Sequence, residues 1–367
     1  MHIDREAIDD LARGAAFLGS GGGGDPYYGR LLGEAELAQG RRIEIVALDS
    51  LAADAIVAPC GWIGAPTVSM EKLPNGNEAT AGLRKLEQLL GRKVDAVMPI
   101  EIGGGNGLAP LIAAAQMGIP VVDADGMGRA FPESQMAILN IRGVSACPSV
   151  LTSACGSLVV LEHSDNLAHE RIARGVSVAM GGIAHMVEYP LTGQQARDHA
   201  ICGSVSTAIS IGAAIRKARG AGEDPFEAMF EALRRSGLYL HAGVLFDGKI
   251  VDLERETRNG FTVGVVRIES FSGDATMALE FQNENLVARI GNHVRAMVPD
   301  LITVMDRETA DSITTERLKY GQRVKVVGAS APDMLREQRA LAFVGPSAFG
   351  LPEAYVPIET LNGWGAR

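Results

Sequence analysis

Asp95-Ala-Val-Met-Pro-Ile-Glu101, then Ile102-Gly103-Gly104-Gly105-Asn106-Gly107, then an Ala-rich run from Leu108 to Met117, then Ile119-Pro-Val-Val-Asp123-Ala-Asp125-Gly126: this stretch decides the fold. The first and last segments are short, apolar and bounded by turn residues, which predicts buried strands. The glycine run between them cannot be regular structure, and the Ala-rich segment has helical composition. Strand, glycine turn, helix and strand form a βαβ unit, which requires a parallel sheet.

Upstream, a helix is predicted over residues 4–17, capped by Asp4, with Ile8, Leu11, Ala15 and Leu18 at helical spacing. Leu18-Gly19-Ser20-Gly21-Gly22-Gly23-Gly24-Asp25-Pro26 then breaks it, and Tyr28 to Ala38 reads as the next helix. Further strands are expected over 43–48, 55–59 and 157–161, the last leading into His163, with helices over 77–90, 166–174, 192–218 and 226–236. After residue 240 the period changes to two, which predicts strands over 244–246, 248–253, 260–268, 276–281, 286–290, 301–305, 323–327 and 341–344. The expected architecture is an N-terminal α/β domain on a parallel sheet, residues 1–168, and a C-terminal α+β domain, residues 169–367, helical first and then β-rich.

Composition agrees with this class. The 367 residues exceed one average core, and with 47% hydrophobic residues there is ample apolar surface to offset ordering entropy. Aromatics are 5% while glycines number 44, the balance of a sheet covered by closely packed helices. Net charge is −10, with no basic cluster interleaved with aromatics, so nucleic acid is an unsuitable partner. No signal-peptide pattern and no long uncharged apolar run occurs, so no membrane role and a cytoplasmic location are expected. The cysteines Cys60, Cys147, Cys155 and Cys202 have no zinc-site spacing, and disulfides are not expected in that compartment.

Four successive glycines followed by Asp25 let the backbone approach a ligand and present amides to an anionic or carbonyl oxygen; the bland alternative is a structural turn. The run is not a phosphate fingerprint, because it follows a helix and lacks the Lys-Ser/Thr of a P-loop. No nucleotide cofactor is expected. The turn carrying Gly104, Gly105 and Asn106 is the stronger signal, since it lies after a buried strand and before a helix, where open α/β sheets bind ligands. Glu101 and Asn106 then stand beside the pocket.

Asp123 and Asp125 leave the next strand two residues apart, which invites a cation; the alternative is an Asp capping the following turn. His185 and His241 sit in Gly-flanked apolar contexts, where each is either a base or metal ligand near neutral pH or a satisfied core histidine. His2, His163, His169, His199 and His293 carry less context.

Six ordered motifs resemble a known family: LGSGGGGDP (18–26), PIEIGGGNG (99–107), PVVDADGMGRAFPE (120–133), FQNENLVA (281–288), VPDLIT (298–303) and KYGQRV (319–324). The chain is similar over nearly its whole length to a bacterial family long known only as a domain of unknown function and now associated with S-methyl thiohydantoin desulfurase. Its members often accompany hydantoinase/oxoprolinase-type proteins. The resemblance implies a hydrolase of a hydantoin-like ring that releases methanethiol from an S-methyl thiohydantoin; the alternative is a non-catalytic ligand-binding or accessory subunit. The substrate would be a small cyclic amide or thioamide.

Such chemistry needs an activated water and stabilisation of charge on the ring. The expected pool for a divalent metal such as zinc, or for a general base, is Asp123, Asp125, His185 and His241, with Glu101 as an alternative base. The amides of Gly22, Gly23, Gly24, Gly104 and Gly105 would hold the ring oxygen. A cysteine nucleophile, Cys155 or Cys60, ranks second. The Gly/Ala-rich helices are compatible with a homo-oligomer.

Overall fold

A computed structural model describes residues 1–65, 68, 71–162, 165–258 and 261–365. Helix α1 (Arg5–Leu18) begins where the Asp4 side chain accepts a hydrogen bond from the Ala7 amide. It is followed by α2 (Tyr27–Ala38), α3 (Glu78–Leu90) and α4 (Ala109–Met117). The last of these ends at Gly118, whose φ of 68° is left-handed and therefore suits glycine.

The first sheet is mixed. Strands β1 (Ile45–Val46), β2 (Ile56–Gly64), β3 (Ala96–Pro99) and β4 (Val121–Val122) lie in the order β1-β4-β3-β2 and are mutually parallel. Beyond β4 the chain forms β5 (Ala124–Asp125), then β6 (Ser149–Thr152), β7 (Leu158–Leu161), β8 (Ile183–Val187) and β9 (Leu191–Thr192). Strands β8, β6 and β7 extend the sheet antiparallel from β2, and β9 pairs with the start of β2. The sheet thus draws strands from both sides of residue 168.

Helix α5 (Asn166–Ala179) precedes β8, and the chain continues through β10 (Ile201–Cys202), α6 (Ser204–Ala221) and α7 (Pro225–Ser236). Helix α6 lies hard against α1. A Cβ on Gly14 would stand 1.8 Å from the Ala208 carbonyl oxygen and one on Gly212 would stand 1.9 Å from that of Asp10, so only glycine permits this approach.

The second sheet is antiparallel throughout, with strands β11 (Ala242–Arg258), β12 (Phe261–Ser270), β13 (Thr276–Gln282), β14 (Glu284–Ile290), β15 (His293–Met297), β16 (Leu301–Asp306) and β17 (Arg323–Ala329). Their order is β15-β14-β13-β12-β11-β17-β16.

Several elements differ from the sequence expectation. The helix expected over 192–218 is broken into Gly193–His199, β10 and α6, because Gly203 turns the chain at φ 81°. The two short strands expected over 244–253 are one long strand whose register shifts between Val244 and Phe246 and again between Ile250 and Asp252. The segment 341–344 ends a helix, Gln338–Val344, since an apolar run of that length does not distinguish strand from helix. Strands β6, β8 and β15 had not been anticipated. Of the expected features, His163 and Gly260 lie outside the described residues.

Candidate functional site

Both glycine turns are needed because they pack backbone against backbone. Gly104 has φ 58°, and a Cβ on it would lie 2.3 Å from the Gly24 carbonyl oxygen. The Gly105 amide donates to that same oxygen at 3.0 Å. The outer turn is stitched to the second sheet: Ser20 Oγ hydrogen-bonds the amide and carbonyl of Ile302, each at 2.9 Å, the Asn285 amide donates to Ser20 O at 2.8 Å, and the Thr315 amide donates to Gly21 O at 2.8 Å.

This stitching brings Glu284, the first residue of β14, to the cleft that opens at the carboxyl ends of the parallel strands, a cleft of about 1000 Å³ with its open mouth included. Glu101, Asn106, Trp62 and Phe131 share that cleft. The Trp62 amide donates to Asn106 Oδ1 at 2.6 Å, which fixes the Asn106 amide so that its Nδ2 donates to Glu101 Oε1, also at 2.6 Å. The other Glu101 oxygen accepts from the Phe131 amide at 2.9 Å.

Glu284 Oε1 accepts from the Gly23 amide at 3.3 Å, while its Oε2 is buried with no hydrogen-bond partner among the described residues. That oxygen is left for a water or a ligand to satisfy. Burial pushes the Glu284 carboxyl up to about 8. Burial, and then the neighbouring charge of Glu284, hold Glu101 well above the usual carboxylate range. Beneath them lies Arg129, fully buried, its guanidinium donating to the carbonyls of Ala130, Asn285, Pro299 and Asp300 at 3.0, 3.4, 3.2 and 2.8 Å. Burial lowers its pKa to about 10, so it stays cationic at neutral pH and counters the acidic charge of Glu284 and Glu101.

The expected substrate amides are partly spent. Those of Gly22, Gly23 and Gly105 donate to Gly19 O, Glu284 and Gly24 O. Gly24 faces open space in the cleft. Asp25 also lines it, but its carboxylate caps α2 through the Tyr27 amide at 2.9 Å and pairs with Arg317.

The four expected metal donors are not brought together. Asp125 is buried with one oxygen accepting from the amides of Ile102, Met127 and Gly128 at 3.0, 3.0 and 2.7 Å, so it braces the turn between Glu101 and Asn106 from beneath. Burial raises it to about 6. Asp123 caps α6 through the Ser206 amide at 2.9 Å. The chain bends at Asp123 between β4 and β5, so the extended geometry assumed for the pair does not hold. His185 is buried on β8, edge-on to Trp62 at 5.1 Å, and burial drives its pKa down to about 3, so it remains neutral. His241 precedes β11 in the second sheet, where its amide donates to Ser330 Oγ at 3.1 Å. Among the described residues no three of His, Cys, Asp and Glu are gathered closely enough to hold a metal ion. Cys60 is buried and its thiol is pushed up to about 12, which removes the thiolate a nucleophile needs. Cys155 is exposed, next to the cleft-lining Ala154.

Glu284 and Arg129 were missed as site residues. A signal existed: Gln282-Asn283-Glu284-Asn285 interrupts the alternation of a strand that is otherwise half apolar, and Asn283 has a left-handed φ of 56°. Arg129 stands between glycines and aromatics, where no helical or strand period makes it a surface residue.

A smaller cavity lies on the far side of Glu101, Asn106 and Phe131 and is lined by Glu188, whose carboxyl accepts the Ser134 hydroxyl and is pushed by burial up to about 8. Its folded pKa exceeds the unfolded value of about 4.3, so its stabilising contribution is complete below that value and lost as pH rises through about 8. Glu188→Gln is therefore expected to flatten the decline of Tm between about pH 5 and 8; parallel Tm profiles for the two proteins would contradict it.

Two family models match the chain, one described as S-Me-THD-like, N-terminal domain, over residues 6–163, the other as S-Me-THD-like, C-terminal domain, over residues 164–358. A crystal structure of a protein from Chromobacterium violaceum shares the fold, with a TM-score of 0.80 and 23% identity over 98% of this chain and 100% of that one. No curated protein matches the chain.

Proposed function

The chain belongs to the S-Me-THD-like family, and from that premise we propose that it hydrolyses an S-methyl thiohydantoin to the hydantoin and methanethiol, with Glu101 and Glu284 as an acid–base pair. The observation that carries this reading is the pair itself: two buried carboxyls facing one cleft, one of them with an orphan oxygen, and with the charge of one raising the pKa of the other. Two such groups cannot both ionise readily, which leaves one protonated and one available as a base.

Glu101, whose proton is held by burial and by the charge of Glu284, donates it to the ring nitrogen doubly bonded to C2. Glu284 takes a proton from a water that adds to C2. The tetrahedral intermediate then loses methanethiolate, which leaves with the proton from Glu284, while the new hydroxyl returns its proton to Glu101 as the carbonyl forms. Both carboxyls end as they began. The Gly24 amide lies where a ring oxygen could be held, and Trp62 and Phe131 supply flat walls for a planar ring.

The expected metal set does not support a metal-activated water, because its members serve separate structural ends, and no step is assigned to an ion. The test is methanethiol release by the purified protein from S-methyl thiohydantoin before and after exhaustive chelation. Release at an unchanged rate is expected. A rate lost on chelation and restored by zinc would replace the acid–base pair with a metal, and tight ring binding without release would make the protein a binding subunit.

A further inference from the structure

We infer that the groove between α2 and α4 receives an apolar substituent on the ring, so that the substrate is a hydantoin-type ring carrying a branched aliphatic or aromatic side chain, with Leu32 and Ile112 as specificity-determining residues. This inference rests on the reading of the ring site given above.

The cleft has two chemically different ends. Asp25, Tyr28, Gly29 and Leu32 line it from α2 and its cap, and Gly105, Asn106, Ala109 and Ile112 line it from α4 and the turn before it. Within the helices, Tyr28 and Leu32 are four apart and Ala109 and Ile112 three apart, the spacings of a single helix face. Each helix starts at one of the two touching glycine turns, and the helices are held close there, since a Cβ on Gly29 would stand 3.0 Å from that of Leu108. Each lining face is therefore polar at the glycine turns, where Glu101, Asn106 and Glu284 stand, and becomes aliphatic as the helices run on. From Ala109 to Ile112 is close to one helical turn, a climb of roughly 4.5 Å beyond the turn that carries Asn106.

The far end is bordered by apolar atoms and opens outward at Leu73, which is exposed. A Cβ on Gly76 would lie 3.4 Å from Leu32 Cδ2, and Leu73 and Pro74 line the same end. Glu78 accepts from the amides of Asn75 and Gly76 at 2.7 and 2.9 Å, and Lys72 Nζ donates one hydrogen bond, to Met180 O at 2.5 Å. Lys72 keeps two further N–H donors beyond that bond, so a carboxyl-bearing substituent is the competing occupant that the comparison below discriminates from the apolar one.

The experiment compares kcat/KM for methanethiol release from S-methyl thiohydantoins that are unsubstituted, 5-benzyl and 5-(2-carboxyethyl), alongside calorimetric binding of hydantoin and 5-benzylhydantoin. The benzyl compound is expected to exceed the other two by at least about tenfold, with the same order in binding. Leu32→Lys, at a half-buried position, is expected to cut the benzyl advantage about tenfold and to favour the carboxyethyl compound; Leu32→Met is expected to retain the wild-type order. Equal rates for all three, or a preference of the wild type for the carboxyethyl ring, would overturn the inference while leaving the ring chemistry standing. If none of the three releases methanethiol the ring chemistry falls, and the two binding constants alone then decide the inference.

Discussion

Glu284→Gln is expected to lower kcat/KM for methanethiol release by about 10²–10⁴-fold, the usual worth of a positioned base. The wild-type rate is expected to climb about tenfold per pH unit below 8 and to level above it, because the base role proposed for Glu284 requires loss of the proton that burial holds to about 8. Glutamine has no proton to lose, so the slope vanishes with the rate. A Glu284→Gln enzyme that keeps the wild-type slope would assign the ionisation to another group. Gly22 offers an independent check, since a Cβ there would stand 1.9 Å from Glu284 Oε1 and its backbone is not left-handed. Gly22→Ala should displace the carboxyl while the fold is retained, and so reproduce much of the loss.

Glu101→Gln is expected to cost a similar factor for a different reason. The variant retains an acceptor for one of the two amides, Asn106 or Phe131, but turns its own NH₂ toward the other, leaving a buried donor unmatched at a cost of about 1–3 kcal/mol in stability. The catalytic part of the loss is distinguishable from that structural part. With the general acid gone, protonation of the ring must come from solvent, so the ratio of wild-type to variant rates is expected to narrow as pH falls. A ratio constant with pH, together with a lowered Tm, would reduce Glu101 to a support for the turn.

The βαβ unit around residues 95–126 was legible because each of its parts carries a local signature: an apolar run, a glycine turn, an alanine-rich helix. Glu101 and Asn106 were legible for the same reason, being fixed by their place at a strand end. Asp123 and Asp125 show the limit of that reasoning. Their spacing is that of one strand face, yet a bend between β4 and β5 sends them to different amides, and the capping role that Asp so often takes wins in both. His185 reads as a ligand until burial and the Trp62 ring are known. Glu284 was illegible as chemistry, since its partner is 183 positions away in the chain and only the docking of the Ser20 turn onto β14 and β16 joins them. No local period encodes such a contact.

That docking has a consequence for how the protein can be divided or recombined. Glu101 comes from the stretch matched by one family model and Glu284 from the stretch matched by the other, and the Arg129 side chain from the first is clasped by carbonyls of the second. On the acid–base reading proposed above, neither half carries the pair alone: a gene split between them is expected to yield two inert products, and a chimaera to work only if both parents agree on the seam.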